Sequence, residues 1–236
     1  MKQLHEIQLQ ILRKLLFAEK LHFSELKPNQ KIENNQFDWH LKQLIKNELV
    51  EKQDNGYSLS IKGKKYCNKF DTDSDKIEMQ AKLSAWLVCM RNTNGYNEFL
   101  LYTRKKHPFF GCQGFPSGKI RQGEKVIEAA KRELEEETGL TGEADVIFLW
   151  HFLVMDKDSG LKEDKYMFVC RFINPEGKLV ENSIEGEYCW VTESNVETWL
   201  KKPFVDKEEI LSLVEKAKTV KKPIMMTEER LQGDNF

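Results

Sequence analysis

The chain has 236 residues, of which 40% are hydrophobic and 32% charged, with a formal net charge of −1. That balance excludes a disordered polyelectrolyte and fits a soluble globular protein of one large or two small domains. No apolar run approaches the ~18–20 residues that span a bilayer, and the N-terminal MKQLHEIQLQILRKLL carries Glu6 and Arg13 among its apolar positions and has no small-residue cleavage site, so no membrane partner is expected and the chain reads as cytoplasmic.

In chain order, Ile7, Ile11, Leu12, Leu15 and Leu16 recur at helical spacing and predict a first helix. Ser24-Glu25-Leu26-Lys27 predicts a short helical turn capped at Ser24. A third helix is expected over 36–48, with Phe37, Leu41, Leu44 and Ile45 on one face and Gln36, Trp39, His40, Gln43, Lys46 and Asn47 on the other. Two short alternating runs, Leu49–Lys52 and Tyr57–Ile61, flank Asp54-Asn55-Gly56 and predict a β-hairpin. Lys62, Lys64 and Lys65 follow on the hairpin side.

Three helices followed by a hairpin, with the phrase HLKQLIKNELVEKQDNGYSLSIKGKKY, resemble a winged helix-turn-helix domain over about residues 4–68. In DNA-binding members of that class the third helix enters the major groove. The resemblance therefore implies duplex DNA as a partner, with Gln36, His40 and Gln43 facing base edges and Lys46 and Lys64 neutralising phosphates. Residues 1–70 hold 13 Lys+Arg against 8 Asp+Glu and the remainder 24 against 30, which suggests two modules with different partners, while an excess of five positive charges is modest for a DNA-binding surface. Asp38 and Glu48 on the same helix leave a second role open: a module for homodimer assembly, or for positioning the rest of the chain.

Residues 71–78 begin Asp-Thr-Asp-Ser-Asp and have no apolar periodicity, which predicts a linker between a domain at 1–70 and one at 79–220. Strands are expected over 81–91 and 98–104 with a turn at Asn94-Gly95, over 145–155 and 165–172, and at 188–191. A closing helix is expected over 207–216, and residues 221–236 read as a mobile polar tail. The five cysteines are scattered without a C-x-x-C pair and the five histidines show no zinc-ligand spacing, so buried thiols in a reducing compartment are expected, not a disulfide or zinc site.

Between these strands lies GKIRQGEKVIEAAKRELEEETGL, residues 118–140. From Glu124 to Thr138 there is no Gly or Pro, so the stretch predicts a helix that Gly139 terminates. Val126, Ile127, Ala130 and Leu134 form its apolar stripe, while Glu133, Glu136 and Glu137, spaced i, i+3 and i+4, share an adjoining face. Glu135 points to solvent with Lys131 as its i, i+4 partner. Three carboxylates in a last turn oppose the helix dipole by roughly 0.3–1 kcal/mol per group. A solvated Glu-rich helix is the ordinary meaning of such a run; a hard divalent cation would instead turn the repulsion into attraction.

The segment resembles the Nudix box, G-x5-E-x7-R-E-U-x-E-E-x-G-U with U aliphatic. Gly118, Glu124, Arg132, Glu133, Leu134, Glu136, Glu137, Gly139 and Leu140 fill every specified position, a match expected by chance about once in 10⁹ to 10¹⁰ starts. The resemblance spans about 79–218 and implies an α/β/α sandwich, which makes the whole chain an α+β two-domain protein, a winged helix followed by a Nudix sandwich. It implies a hydrolase that cleaves a phosphoanhydride of a nucleoside diphosphate linked to another moiety, with Mg²⁺, or Mn²⁺ in its place, as cofactor. Glu133, Glu136 and Glu137 are then metal ligands, Glu133 serving as ligand or general base. Ser117 stands where the family usually has a second Gly and offers its backbone carbonyl. Arg132 orients Glu133, Glu124 assists from the helix start, and Glu185 or Glu187 ahead of Trp190 supplies a further carboxylate. Arg104, Lys105 and Lys106 meet substrate phosphates or form a solvated basic turn. The loop 107–114 lacks the family's frequent Trp and offers Phe109 and Phe110 for the substrate. Trp150, His151, Phe152 and Tyr166 either stack a base or belong to the core. Modified nucleoside triphosphates, ADP-ribose, NAD-like dinucleotides and nucleotide sugars all remain open as substrates, and so does a transcription regulator that senses a nucleotide through the Nudix module.

Overall fold

The computed structural model describes residues 4–29, 31–70, 79–156, 158 and 160–230. The chain divides into two compact units with the break between Met79 and Gln80; the expected linker, 71–78, lies outside the described residues.

The first unit runs α1 (Glu6–Leu16), α2 (Phe23–Leu26), α3 (Asn34–Lys46), β1 (Val50–Gln53), β2 (Gly56–Leu59) and α4 (Ile61–Cys67). Its core is the set predicted from helical spacing, Ile11, Leu12, Leu15, Phe37, Leu41 and Leu44, closed by Leu49. Boundaries differ where local hydrogen bonding decides them. The α3 helix starts at Asn34 and stops before Glu48, which takes a left-handed φ of 59°. At α2, Ser24 lies inside the helix, and the Glu25 carboxylate accepts the His22 backbone N–H at 2.7 Å. The larger correction is at residues 61–67, which form a helix and no hairpin extension. The Ser60 hydroxyl accepts from the Gly63 N–H at 2.9 Å and donates to the Glu48 carbonyl at 2.5 Å, a helix N-cap. Gly63 is required there, because a Cβ would fall 2.0 Å from the Leu49 carbonyl oxygen.

The second unit runs β3 (Lys82–Thr93), β4 (Tyr96–Arg104), β5 (Gln113–Gly114), β6 (Ser117–Lys119), α5 (Val126–Thr138), β7 (Leu140–Thr141), β8 (Ala144–Met155), β9 (Leu161–Ile173), β10 (Glu176–Gly177), β11 (Gly186–Thr192), α6 (Val196–Trp199) and α7 (Lys207–Thr219). The main sheet has the order β11-β4-β3-β9-β8, with β5 paired to β4 and β6 to β3; β7 and β10 pair separately. Strands β3 and β9 run parallel and the other neighbours antiparallel. The β3–β4 hairpin turns through Asn94 and Gly95, both at positive φ (53° and 85°), which suits a two-residue hairpin turn.

Alternation along β3 sends Ala85, Leu87 and Cys89 to one face and Trp86 and Val88 to the other. The first face is covered by α5 through Val126, Ala130 and Leu134, the second by α7 through Ile210, Leu213 and Val214. Helices on both faces of one mixed sheet make an α/β/α sandwich. A β-bulge between Val146 and Phe148 inverts the alternation of β8, so that Trp150 and Phe152 turn to the α7 side. Arg171 locks α7 in place: its guanidinium binds Asp145 at 2.5 and 3.0 Å and donates to the Ala217 and Val220 carbonyls.

Residues 221–230, expected to be a polar tail, make two hydrogen bonds with the sandwich. The Ile224 N–H donates to the Val146 carbonyl at 2.8 Å, and the Glu228 carboxylate accepts the Val126 N–H at 2.8 Å, at the start of α5. Residues 231–236 lie outside the described residues. The five cysteines are free thiols, and no helix among the described residues is long and apolar enough to cross a membrane.

Candidate active site

Strand β6 and helix α5 meet at a contact that only glycine permits. A Cβ on Gly118 would sit 2.0 Å from the Cγ of Glu133, so the missing side chain is the space that Glu133 fills. Ser117 lies in β6 opposite Trp86 with ordinary backbone angles, so the family's usual glycine is not needed at that position. Helix α5 ends as predicted on Gly139 at φ 70°. Its buried stripe is Val126, Ala129, Ala130 and Leu134; Ile127 is only partly buried, and Ala129 takes the fully buried place.

Arg132 is the hub of the carboxylates. It donates to Glu124 at 2.6 and 2.9 Å, to Glu133 at 2.7 Å, to Glu136 at 3.0 Å and to the Lys119 carbonyl at 3.1 Å. The hydrogen bonds from Arg132, only partly opposed by burial, hold the Glu124 carboxyl down to about 2. Lys131 bonds Glu143 and not the expected Glu135, with both carboxylate oxygens at 2.7 Å.

Glu137 is different in kind. It is half-buried, accepts a hydrogen bond from the Tyr188 hydroxyl at 3.1 Å, and is pushed up to about 7, first by burial and then by the neighbouring Glu133 charge. Burial also raises the Tyr188 hydroxyl well above its ordinary value, and the Glu137 charge adds to it.

Two cavities adjoin at this end of the sheet. The acidic one is lined by Glu133, Glu136, Glu137, Glu185 and Gly118, among others. The other has mainly apolar walls from Trp86, Phe109, Phe115, Phe152 and Phe204, and a volume of about 270 Å³. Ser84, Arg104, Lys106, Ser117, Lys119 and Lys165 line both, so the cavities share one cationic opening.

Two sequence expectations, Lys105 and Phe110, are corrected here, and two open choices are narrowed. Lys105 points away, to Glu187 at 2.8 Å and Asn182 at 3.3 Å, and lines neither cavity; Lys106 takes the inward place because alternate residues of an extended chain face opposite ways. Glu187 goes outward with Lys105, whereas Glu185 reaches the acidic cavity and pairs with Lys106. Phe110 is exposed and its ring stacks on His107, its carbonyl held by Lys202 at 2.9 Å; Phe109, at a positive φ of 67°, turns into the apolar cavity instead. His151 and Tyr166 stack on each other with ring centroids 4.0 Å apart and line neither cavity, while Phe152 does. Arg104 is partly committed to the loop, donating to the Lys106 and Pro108 carbonyls.

Lys119, Lys165 and Ser84 were not singled out from the sequence. The available signal was charge on an inward position: Lys165 shares the strand face of Met167 and Val169.

In the first unit, Gln36, Trp39 and Lys46 are exposed on α3 and Gln43 is partly so. His40 is buried, with its ring 4.4 Å from that of His5, and burial followed by His5 lowers its pKa. It therefore offers nothing to a groove, because α1 covers that side of α3. Lys64 stands on α4, not on the hairpin, and lines a groove with Phe17, Ile61 and the hairpin residue Glu51, while Lys62 pairs with Glu48 at 3.0 Å.

The NUDIX domain family matches residues 81–214, and a domain of unknown function, DUF7347, matches residues 4–69. The chain is 30% identical over 132 residues to an ADP-ribose pyrophosphatase of Methanocaldococcus jannaschii, a stretch that covers 56% of this chain and 78% of that one. In fold it is similar to the NUDIX domain of Shewanella oneidensis NrtR complexed with ADP ribose, with a TM-score of 0.50, 16% identity, and coverage of 64% of this chain and 95% of that one. A MutT NUDIX hydrolase from Burkholderia pseudomallei is 26% identical, with a TM-score of 0.46 and coverage of 58% and 99%. With the box geometry, the sandwich and the family match over one stretch of chain, the protein belongs to the Nudix hydrolases.

Proposed function

We propose that the enzyme is a divalent-metal-dependent pyrophosphatase of nucleoside diphosphates linked to a second group, with ADP-ribose as its substrate. The observation that carries this is the shared cationic opening between an acidic and an aromatic cavity. A diphosphate fits the opening, a nucleoside fits the aromatic side, and the acidic side faces the scissile anhydride. The name of the archaeal relative supplies the choice of ADP-ribose.

The residues of the acidic cavity fit a hard cation such as Mg²⁺ or Mn²⁺. The donors are all oxygen, from Glu136, Glu137 and Glu185 with the Ser117 carbonyl, with Glu133 kept as the general base, and Glu137 carries a carboxylate that burial and Glu133 disfavour in the absence of a cation. Among the described residues no three acidic or His/Cys side chains converge at ligand spacing, because Arg132 draws Glu133 and Glu136 toward itself. The bound metal would act as a Lewis acid toward the phosphate oxygens and lower the pKa of a water.

The chain's own residues then divide the work. Arg132, held by the ionised Glu124, fixes the direction of Glu133. Glu133 takes the proton of the attacking water as its oxygen bonds to phosphorus. The P–O bond to the bridging oxygen breaks, and the products are two phosphomonoesters, AMP and ribose 5-phosphate for ADP-ribose. Arg104, Lys106 and Lys119 neutralise the phosphate oxygens. Phe109, Phe152 and Phe204 exclude water from the nucleoside side.

The test is turnover of a panel comprising ADP-ribose, NAD, a nucleotide sugar and nucleoside triphosphates, with products separated by chromatography. ADP-ribose is expected to give AMP with the highest kcat/KM. A preference for triphosphates with pyrophosphate release would displace the reading.

For the first unit we propose contact with duplex DNA through Gln36, Gln43 and Lys46, carried by the run of exposed polar residues along α3. Lys64 adds a phosphate contact from α4.

A further inference from the structure

Lys165 is a mostly buried lysine with no hydrogen-bonded carboxylate. Its side chain is 22% exposed, and its ammonium stands 4.0 Å from Glu163, beyond hydrogen-bond reach. Glu163 is instead bonded at 2.9 Å to the exposed Lys82, the residue opposite Lys165 in the β3–β9 register. An ammonium withdrawn from water is disfavoured unless an anion compensates it. Here the charged groups lining the same cavity are predominantly cationic: Lys82, Arg104 and Lys119 stand there with Lys165, and Lys82 is its partner in the β3–β9 register. Burial lowers the Lys165 pKa, Glu163 partly opposes this, and the three neighbouring cations lower it further. Such a cluster, at the one place where an acidic and an apolar cavity meet, is arranged for a multiply charged anion that spans both.

We propose that Lys165 is the substrate-positioning residue of this enzyme, donating to the phosphate nearest the apolar cavity and so fixing the diphosphate against the α5 carboxylates. Glu163 keeps the ammonium aimed into the opening, and Lys82 neutralises Glu163 from the solvent side. The inference rests on the proposed reading of the site as one for a diphosphate that links two groups.

The experiment compares the wild-type full chain with Lys165→Met and Lys165→Arg. Binding of ADP-ribose and of adenosine is measured calorimetrically in excess chelator, and kcat and KM are measured with Mg²⁺. Loss of a charge-assisted hydrogen bond should weaken ADP-ribose binding about 10- to 100-fold in Lys165→Met, with a parallel rise in KM and a smaller change in kcat. Adenosine, which has no phosphate, should bind all three proteins equally, and Lys165→Arg should recover most of the loss. Unchanged ADP-ribose binding in Lys165→Met overturns the proposal. Equal weakening of adenosine overturns it too, because Lys165 would then only shape the apolar cavity. If the wild type prefers another diphosphate-linked compound, the variants are compared on that compound, so the substrate assignment fails separately. If it turns over none, inorganic pyrophosphate is the probe: weaker binding to Lys165→Met supports the proposal and equal binding refutes it.

Discussion

Helices α3 and α5 are each 13 residues long, amphipathic and packed by one face on a core, yet they treat their polar faces in opposite ways. The α3 helix follows ordinary helix physics, with an Asp38–Lys42 pair one turn apart at 2.6 Å and Lys46 in the last turn. The α5 helix does not: Glu135, Glu136 and Glu137 crowd its last turn with no basic residue among them. Its carboxylates find partners in Arg132 and Tyr188, which stand beside a cavity. A helix that accepts such repulsion is shaped by what it binds, and a helix that avoids it keeps its options hidden. The site in the second unit can therefore be read from local violations, whereas the surface of the first unit cannot.

The contrast is sharpest at Glu137. Glu137→Gln should lower kcat by two or more orders of magnitude under saturating Mg²⁺, yet stabilise the metal-free protein. The sign follows from linkage: a carboxyl raised from 4.5 to about 7 binds its proton more tightly in the fold, so the contribution of this group to stability is fully present below about pH 4.5 and is lost as pH rises through about 7. Removing that charge should gain about 1–3 kcal/mol at pH 8, read as a higher Tm in chelator. A fall in Tm would break the comparison by making Glu137 a structural residue.

Gly118→Ala tests the contact between β6 and α5. With a Cβ placed 2.0 Å from Glu133, either Glu133 is displaced or the helix shifts. A loss of at least 10-fold in kcat is expected, with a Tm drop of several degrees. Unaltered kinetics would mean that Glu133 need not occupy that space.

Arg132→Lys keeps the charge but not the fork that spans Glu124 and Glu133. A decrease of about 10-fold in kcat with little change in KM is expected, and an effect confined to KM would assign Arg132 to the substrate.

The smallest effect belongs to α3. If Lys46 meets a phosphate, Lys46→Ala should flatten the log–log salt dependence of duplex binding by about 1 unit, measured by fluorescence anisotropy on the full chain. His40→Ala should leave that slope unchanged, because His40 is buried against His5. No binding to any duplex at low salt would return the unit to assembly.

Local pattern revealed much of this. The spacing of Leu134 and the three glutamates, the Asn94-Gly95 turn and the Gly139 stop follow from backbone and helix geometry alone. What escaped depends on contacts distant in sequence. The inward place of Lys106 follows from chain alternation once the Lys105 N–H is bonded to the distant Glu185 carbonyl at 2.8 Å, and Phe109 turns in, in place of Phe110, as residues 104–112 fold back with the Gly111 N–H donating to the Arg104 carbonyl at 2.8 Å. Helix α4 was missed because Tyr57–Ile61 alternates like a strand, and only the Ser60 cap and the close Gly63–Leu49 approach turn the chain. His40 looked solvent-facing on its own helix, and α1 buries it. Lys165 lay in a segment that reads as a strand, and its importance appears only once β3, β6 and β9 stand side by side.

The central claim is that the carboxylates at the end of α5 exist to hold a cation for phosphoanhydride hydrolysis. It is tested most directly by following AMP release from ADP-ribose in metal-stripped protein, then titrating Mg²⁺ into wild type and Glu137→Gln. The account predicts no turnover in chelator, full recovery with Mg²⁺ in the wild type, and no recovery in the variant. Turnover that persists in excess chelator, or an equal response of both proteins to Mg²⁺, would contradict it.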